Sequence, residues 1–212
     1  MGLTNLYITR HGQTEWNVQG RLQGHLDSPL TDLGITQAGQ LSNSLADVDF
    51  DVIYSSPSLR TVHTSEIIRG QRPIDVTVEE RLREINMGSW EGMELSEVKL
   101  QFPHEHEAYW NTPALYVPSN GGESFQDVCE RVTPFIERIM DDDENRTIMI
   151  ITHTVTLKCI MSYFEKRPLN QLWNPPFVHP TCLCHVMIDS GTVTIQKYGD
   201  MTHIRPISSI GT

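Results

Sequence analysis

The chain has 212 residues, 38% of them apolar and 20% charged, with a formal net charge of −11. That length suits one sizeable core, and no run approaches the roughly 18 to 20 apolar residues that a membrane span needs. The negative charge disfavours polyanions, so neither nucleic acid nor an anionic membrane is expected as a partner, and any phosphate site must be a local concentration of Arg and His. The N-terminus shows no basic n-region, apolar h-region or small-residue cleavage site, and Leu6 stands where a myristoylation signal wants Ser or Thr. Cys129, Cys159, Cys182 and Cys184, in a chain without a visible export signal, read as reduced thiols, so a cytoplasmic location is expected.

Leu6-Tyr7-Ile8-Thr9 predicts a first buried strand, short and rich in β-branched and aromatic residues. From Asp32 to Ala46, Leu33, Gln37, Leu41 and Leu45 recur at i, i+4 spacing beside Ala38, which predicts a helix with Thr31 as its N-cap. Ile53-Tyr54-Ser55 predicts a strand, a helix follows Pro57 with Leu59, Val62 and Ile67 on one face, and Ile74 to Val78 predicts another strand. Residues 102–122 mix Pro103, Pro113 and Pro118 with His104, His106, Trp110 and Tyr116, and read as an irregular or short-helical insertion over one end of the sheet. A helix is expected from about Phe125 to Met140, a strand over Ile148 to Ile151, and a further helix from near Thr154. Leu183 to Ile188 and Val193 to Tyr198, separated by Ser190-Gly191, predict a hairpin. Parallel neighbours need crossover connections, so this alternation predicts an α/β fold with a mostly parallel central sheet, extended by the antiparallel C-terminal hairpin. No repeat, low-complexity tract or composition shift marks a linker, and residues 1–212 are expected to form a single domain.

Thr9-Arg10-His11-Gly12 ends the first predicted strand, where open α/β sheets gather their ligands. Gly12 permits a tight turn, and Arg10 offers a planar fork of donors suited to phosphate oxygens. A bare Arg-His-Gly recurs by chance, and a lone histidine is more often structural than catalytic, so the tripeptide needs partners. His153 follows the strand Ile148 to Ile151 in the same manner. Arg60 follows Pro57 and Ser58 at an expected helix start, whose N–H groups and partial positive charge favour an anion.

The run Arg10-His11-Gly12-Gln13-Thr14-Glu15-Trp16-Asn17 resembles the RHGxTxxN signature of the histidine phosphatase (phosphoglycerate mutase-like) superfamily. Further segments fall in that family's order: Leu30-Thr31-Asp32-Leu33-Gly34 with Gln37-Ala38, Tyr54-Ser55-Ser56 through Arg60, Arg83-Glu84 through Gly92, and Ile151-Thr152-His153. The resemblance implies a phosphoglycerate mutase-like three-layer sandwich and a metal-independent phosphatase with no cofactor. His11 would be the nucleophile that becomes a phosphohistidine, provided its other ring nitrogen is held by a hydrogen bond. Arg10 and Arg60 would clamp the nonbridging oxygens, His153 would donate to the transferring group as an imidazolium, and Glu84 would protonate the leaving alkoxide. Glu91 is the rival carboxylate, and Trp90-Glu91-Gly92 is expected to be structural. Asn17 and Gln23 would contact the phosphate or orient His11. Thr154 stands where the family usually has Gly and would narrow the pocket or add a donor; Thr61 stands where Ala is usual.

The mutases of this family are generally longer, with extra segments that enclose phosphoglycerate, so the present length favours a phosphatase acting on small phosphorylated metabolites. Leu172 to Phe177, Gly121 to Ser124 and Gly199 to Ile204 resemble the PhoE-type broad-specificity phosphatases, which implies a wide, partly apolar entrance around Trp110, Tyr116, Trp173 and Phe177. A phosphoglycerate mutase, an alpha-ribazole phosphatase and a non-catalytic phosphate-binding module are the alternatives. His179, Cys182, Cys184 and His185 are possible zinc ligands, but on a strand the two cysteines share one face and His185 the other, so no metal is expected.

Overall fold

The computed structural model describes residues 2–141 and 145–205. The chain runs β1 (Leu3–Arg10), α1 (Glu15–Gln19), α2 (Asp32–Ser44), β2 (Val52–Ser55), α3 (Leu59–Arg69) and β3 (Val76–Val78). It continues through α4 (Leu95–Gln101), α5 (Pro103–Asn111), α6 (Phe125–Met140), β4 (Arg146–Thr152), α7 (Thr154–Glu165), β5 (Leu183–Asp189) and β6 (Thr192–Asp200). These strands form one sheet in the order β3-β2-β4-β1-β5-β6. The pairs β3-β2, β2-β4 and β4-β1 are parallel, whereas β1-β5 and β5-β6 are antiparallel.

The centre of the sheet explains its own sequence. Ile148, Met149, Ile150 and Ile151 of β4 are all buried because both faces are covered, which turns alternation into a continuous apolar run. Ile148 and Ile150 join Leu6, Ile8 and Val186 in a core against α6 and α7. Met149 and Ile151 face the other way, into a second core with Ile53, Leu41, Leu45 and Ile68 from β2, α2 and α3. The result is the expected three-layer sandwich, with Ser190 and Gly191 turning the C-terminal hairpin at φ of 49° and 80°.

Most predicted elements are present with bounds moved by a few residues, and α6 has the predicted span. The helix after Pro57 differs in orientation. Leu59, expected on its inner face, is 74% exposed, while Arg60, Thr61, Thr64, Ser65 and Ile68 are buried. The inner face of α3 is polar over its first turns because they abut the loop after β1, where the Gly12 N–H donates to Thr64 Oγ1 at 3.1 Å, and only Ile68 near its end reaches the apolar core. Thr61 satisfies its hydroxyl locally, donating to the Ser56 and Ser58 carbonyls at 2.8 and 2.7 Å.

Thr31 caps α2 as predicted, its Oγ1 accepting from the Gly34 N–H at 3.0 Å. This first turn lies directly against the loop after β1. A β-carbon at Gly34 would sit 2.1 Å from the Gln13 carbonyl oxygen, and one at Gly12 would sit 2.5 Å from the Gly34 carbonyl oxygen. Both neighbours are backbone and cannot yield. Gly39 of the same helix has nothing within 4 Å of such a carbon. We therefore expect Gly34→Ala to destabilise the protein by about 1–3 kcal/mol through overcrowding. Gly39→Ala should stabilise it by about 0.5–1 kcal/mol through helix propensity. Denaturant unfolding of the two variants checks this opposition of sign.

Candidate active site

Parallel register brings the chemistry together. Arg10 pairs with Thr152 across β1 and β4, and Ser55 pairs with Ile151 across β2 and β4, so these strands end side by side. The next residues are His11, His153 and Ser56. The His11 backbone N–H donates to the Thr152 carbonyl at 3.1 Å, and the rings of His11 and His153 lie 5.3 Å apart, edge to face.

The Nδ1 of His11 lies 2.8 Å from the Gly12 carbonyl oxygen, an atom that only accepts, so Nδ1 carries the proton and Nε2 keeps its lone pair. Burial, then Arg60 and Arg10, push the pKa of His11 well below 6.5, against the Gly12 bond, which favours the charged form. His11 is therefore a neutral imidazole with a free nucleophilic nitrogen.

Arg60 is 1% exposed. Its Nη1 donates to Leu26 O at 2.8 Å and Asp27 Oδ1 at 2.9 Å, and its Nη2 donates to Gly24 O at 2.9 Å and to His153 Nδ1 at 3.0 Å. Arg10 reaches the Val178 carbonyl through Nη1 at 3.0 Å. The Nε–H groups of both arginines are buried without a partner. Orphaned buried donors are rare in folded proteins, and a pair of them on guanidinium groups beside a histidine calls for an anionic acceptor.

His153 departs from its expected form. Its Nδ1 accepts from Arg60, and its Nε2 lies 2.8 Å from Ser56 Oγ, so the bonding pattern is that of a neutral ring donating through Nε2. Burial, followed by Arg60, His11 and Arg10, drives its pKa well below 6.5. In place of the expected imidazolium facing the phosphate, the structure has a wholly buried neutral histidine that buttresses Arg60.

The N-terminus of α3, expected to favour an anionic ligand, holds a carboxylate of the protein instead, and α7 is closed in the same way. The N–H groups of Leu59 and Arg60, which open α3, are taken by the Asp27 carboxylate. At α7 the Val155 and Thr156 N–H groups donate to Glu84, at 3.1 and 3.3 Å to Oε1. Glu84 thus reaches the cleft as expected. The rival Glu91 does not: its carboxylate caps the N–H groups of His25, Leu26 and Met87, and Trp90 beside it is buried in the core.

Arg10, His11, Asn17, Gln23, Arg60, Glu84 and Thr154 line one cleft of about 310 Å³. Asn17 shares a capping box with Thr14, so its Oδ1 is occupied and its amide N–H groups are the free end. Gln23 donates to Thr14 Oγ1 at 2.9 Å, and its Oε1 is buried without a partner. Tyr109, Trp110 and Trp173 form the apolar wall. Of the aromatics expected at the entrance, Tyr116 is instead buried in the core, and Phe177 is exposed away from the cleft. Among the described residues no group of three or more His, Cys, Asp or Glu is placed to hold a metal, and His185 stacks on Tyr7 at 4.3 Å. No helix among them is long and apolar enough to cross a membrane.

Comparison with known proteins agrees with this geometry. The sequence profile of the Histidine phosphatase superfamily (branch 1) matches residues 6–201, and the chain belongs to that family. It is 34% identical over 172 residues to Phosphoserine phosphatase 1 of Hydrogenobacter thermophilus, covering 81% of each chain. It is 30% identical to the Adenosylcobalamin/alpha-ribazole phosphatase of Escherichia coli K12, covering 80% of this chain and 83% of the relative. The solved structure of Bacillus stearothermophilus YhfR superposes with a TM-score of 0.91 at 42% identity, over 95% of this chain and all of that one. The protein is thus an enzyme of the phosphatase and mutase class.

Sequence reasoning missed Asp27, Ser56, Thr64 and the Val178 carbonyl. Each acts by holding Arg60, His153, the Gly12 backbone or Arg10, and nothing local in the sequence reveals such a partner. The two neutral histidines have a consequence for stability. In the unfolded chain each takes a proton near the usual 6.5, while the folded values lie well below it. The unfolded state then binds more protons below about pH 6.5, so stability should decline as the pH is lowered through that value toward the folded-state pKa. Denaturant midpoints measured from about pH 7.5 to 5 should show this decline, and His11→Asn, which cannot take the proton, should show a shallower one.

Proposed function

We propose that this protein is a metal-independent phosphatase that hydrolyses small phosphomonoesters through a phosphohistidine on His11. The observation that carries this reading is the neutral His11 with Nε2 free, set beside two guanidinium groups whose buried Nε–H donors have no partner. A phosphoryl group supplies the missing acceptors and is then in reach of the nucleophile. In the first step Glu84 takes the proton of the bound monoanionic ester, Nε2 bonds to phosphorus as the ester P–O bond breaks, and Glu84 passes that proton to the departing alkoxide. In the second, Glu84 takes a proton from water, the water oxygen bonds to phosphorus, and the P–N bond breaks to release inorganic phosphate and neutral His11.

The rest of the cleft favours hydrolysis of esters with an uncharged alcohol. Beyond Arg10 and Arg60 the remaining arginine among its described lining residues is Arg21, which is already engaged: it donates to Gly92 O at 2.7 Å and pairs with Glu94 at 3.2 Å. A second carboxylate or phosphate on the substrate, as a phosphoglycerate has, would find no unpaired cation there, while Tyr109, Trp110 and Trp173 offer an apolar surface. This supports a broad-specificity phosphatase over a mutase. Small phosphorylated metabolites as partners and the free thiols of Cys129, Cys159, Cys182 and Cys184 fit a cytoplasmic location, and the net charge of −11 disfavours polyanion partners.

His11→Ala should abolish phosphate release from an aryl phosphate while the protein stays folded. Rapid quenching under alkaline conditions should find a phosphoryl group on the peptide carrying His11, and steady hydrolysis without any such adduct would refute the mechanism. Glu84→Gln keeps an acceptor oxygen for the α7 N–H groups but cannot supply the proton. It should slow alkyl phosphates by about 10²–10⁴-fold and activated aryl phosphates far less. Equal losses on both would remove Glu84 from the acid role. Phosphorus NMR with phosphoglycerate should show free phosphate rather than a moved one.

A further inference from the structure

Helix α7 buries an ammonium that the reaction does not use. Lys158 is 2% exposed. Its Nζ donates to the carbonyl oxygens of Asn174 at 2.6 Å and Pro176 at 2.8 Å, and lies 5.4 Å from the centre of the Tyr198 ring. Burying a lysine on backbone carbonyls, with no carboxylate bonded to it, is costly, and side chains of this length ordinarily carry their charge to the surface. Simple anchoring of the segment does not require it, because Arg167 already donates to the carbonyls of Asn174 at 3.1 Å and Pro175 at 3.3 Å.

The segment that Lys158 grips carries two parts of the cleft. Trp173, at its start, forms the apolar wall and donates through Nε1 to the Tyr109 carbonyl at 2.7 Å. Val178, at its end, supplies the carbonyl that fixes Arg10 Nη1. No regular secondary structure runs between Trp173 and Val178, so the carbonyl positions depend on what holds them.

We propose that Lys158 is a positioning residue for the phosphate site: by holding the carbonyls of Asn174 and Pro176 it sets the Val178 carbonyl, and through it the Arg10 guanidinium, where the phosphoryl group is bound. This rests on the reading that Arg10 binds the phosphoryl group.

The charge on Lys158 gives the proposal a signature. It faces Glu165 at the end of α7 and Arg167 just beyond it, Cys182 just before β5 and Cys184 within it, and Tyr198 of β6. Burial first, then Arg167, bring its pKa from 10.5 down to about 8. Above that pH the neutral amine keeps its N–H groups but loses the charge that strengthens both bonds. The grip on the segment then weakens, and phosphate affinity should fall. Stability moves the other way: between about 8 and 10.5 the unfolded chain binds more protons than the folded one, so folding is favoured as pH rises through this window. A lysine that merely supported the fold would not lower phosphate affinity where it raises stability.

Calorimetric titration of the full chain with inorganic phosphate, from about pH 8 to 9.5, reads this directly. Phosphate is a dianion throughout. In the wild type Kd should rise about two- to fourfold across the range, the part of a roughly three- to tenfold charge effect that remains once Lys158 is half neutral at pH 8. Lys158→Met should start with Kd already raised by about that factor and stay flat. Cys182, whose thiol also feels Arg10, is retained in that variant, so a flat profile assigns the step to Lys158. An unchanged wild-type Kd across the range overturns the proposal, as does a Lys158→Met protein with wild-type affinity and the pH step intact, or a wild type that binds no phosphate. Should Lys158→Met fail to fold, the profile of Cys182→Ala decides: a pH step that persists there belongs to Lys158, and one that vanishes overturns the proposal. Phosphate binding without hydrolysis of any ester would remove the phosphatase reading and leave the Lys158 result standing.

Discussion

The structure is organised around the burial of the Arg60 guanidinium. An isolated cation at 1% exposure is untenable, so the chain surrounds it with acceptors: the Gly24 and Leu26 carbonyls, the Asp27 carboxylate and a histidine nitrogen. Removing one partner of such a buried pair typically costs about 3–5 kcal/mol, because the remaining charge is stranded. The loop from Gly24 to Asp27 and the start of α3 are thereby fixed to each other by one side chain. The neutrality of His153 follows from the same constraint, since a ring nitrogen facing a guanidinium N–H must be an acceptor. The neutrality of His11 follows too, because two guanidinium groups nearby oppose a third positive charge.

The positive ends of the helices are assigned with equal economy of means. The N-termini of α3 and α7 are closed by side chains of the protein, Asp27 and Glu84, and not left open to an anionic substrate. The helix dipoles hold protein groups in place, and the guanidinium groups are left for the ligand. This division suits a reaction in which charge on the phosphoryl oxygens changes during transfer. A guanidinium fixed by its Nη atoms can present Nε–H to a moving oxygen without rearranging, which is preorganisation at the level of a single side chain. The net charge of −11 is then of little consequence at the site, since the two arginines act at contact distance and the surface carboxylates act through water.

What could be read in the sequence divides along the same physical line. Strand ends carrying His11 and His153 were legible because an apolar run stops abruptly at a polar residue, and parallel sheets place such stops at one edge. Arg60 was legible through its place in an ordered set of motifs, but its helix face was not. The period of Leu59, Val62 and Ile67 pointed to an apolar face, whereas α3 turns Arg60, Thr64 and Ser65 inward, because a buried cation and a backbone N–H outrank three aliphatic side chains. The protonation of His153 was misjudged for a related reason. Sequence gives a residue its type, and the charge state depends on Ser56 and Arg60, which are remote along the chain and adjacent only after folding. Glu84 and Glu91 illustrate the point most sharply: seven positions apart in a charged stretch, one opens onto the cleft and the other caps three backbone N–H groups.

The same reasoning separates the two arginines of the site. Arg60 is held by a carboxylate and carbonyls that arrive together, in a short loop next to its own helix. Arg10 has no carboxylate bonded to it and depends on one carbonyl, that of Val178, at the end of a segment without regular structure. Charge on Glu84 favours the charged form of Arg10, against a larger opposing effect of burial, but it does not fix the side chain's direction. Direction comes from the segment, and the segment is gripped from behind by Lys158 and Arg167 and from the front by the contact of Trp173 with the Tyr109 carbonyl. The apolar wall residue Trp173 and the carbonyl that aims Arg10 therefore belong to one segment, held at several points.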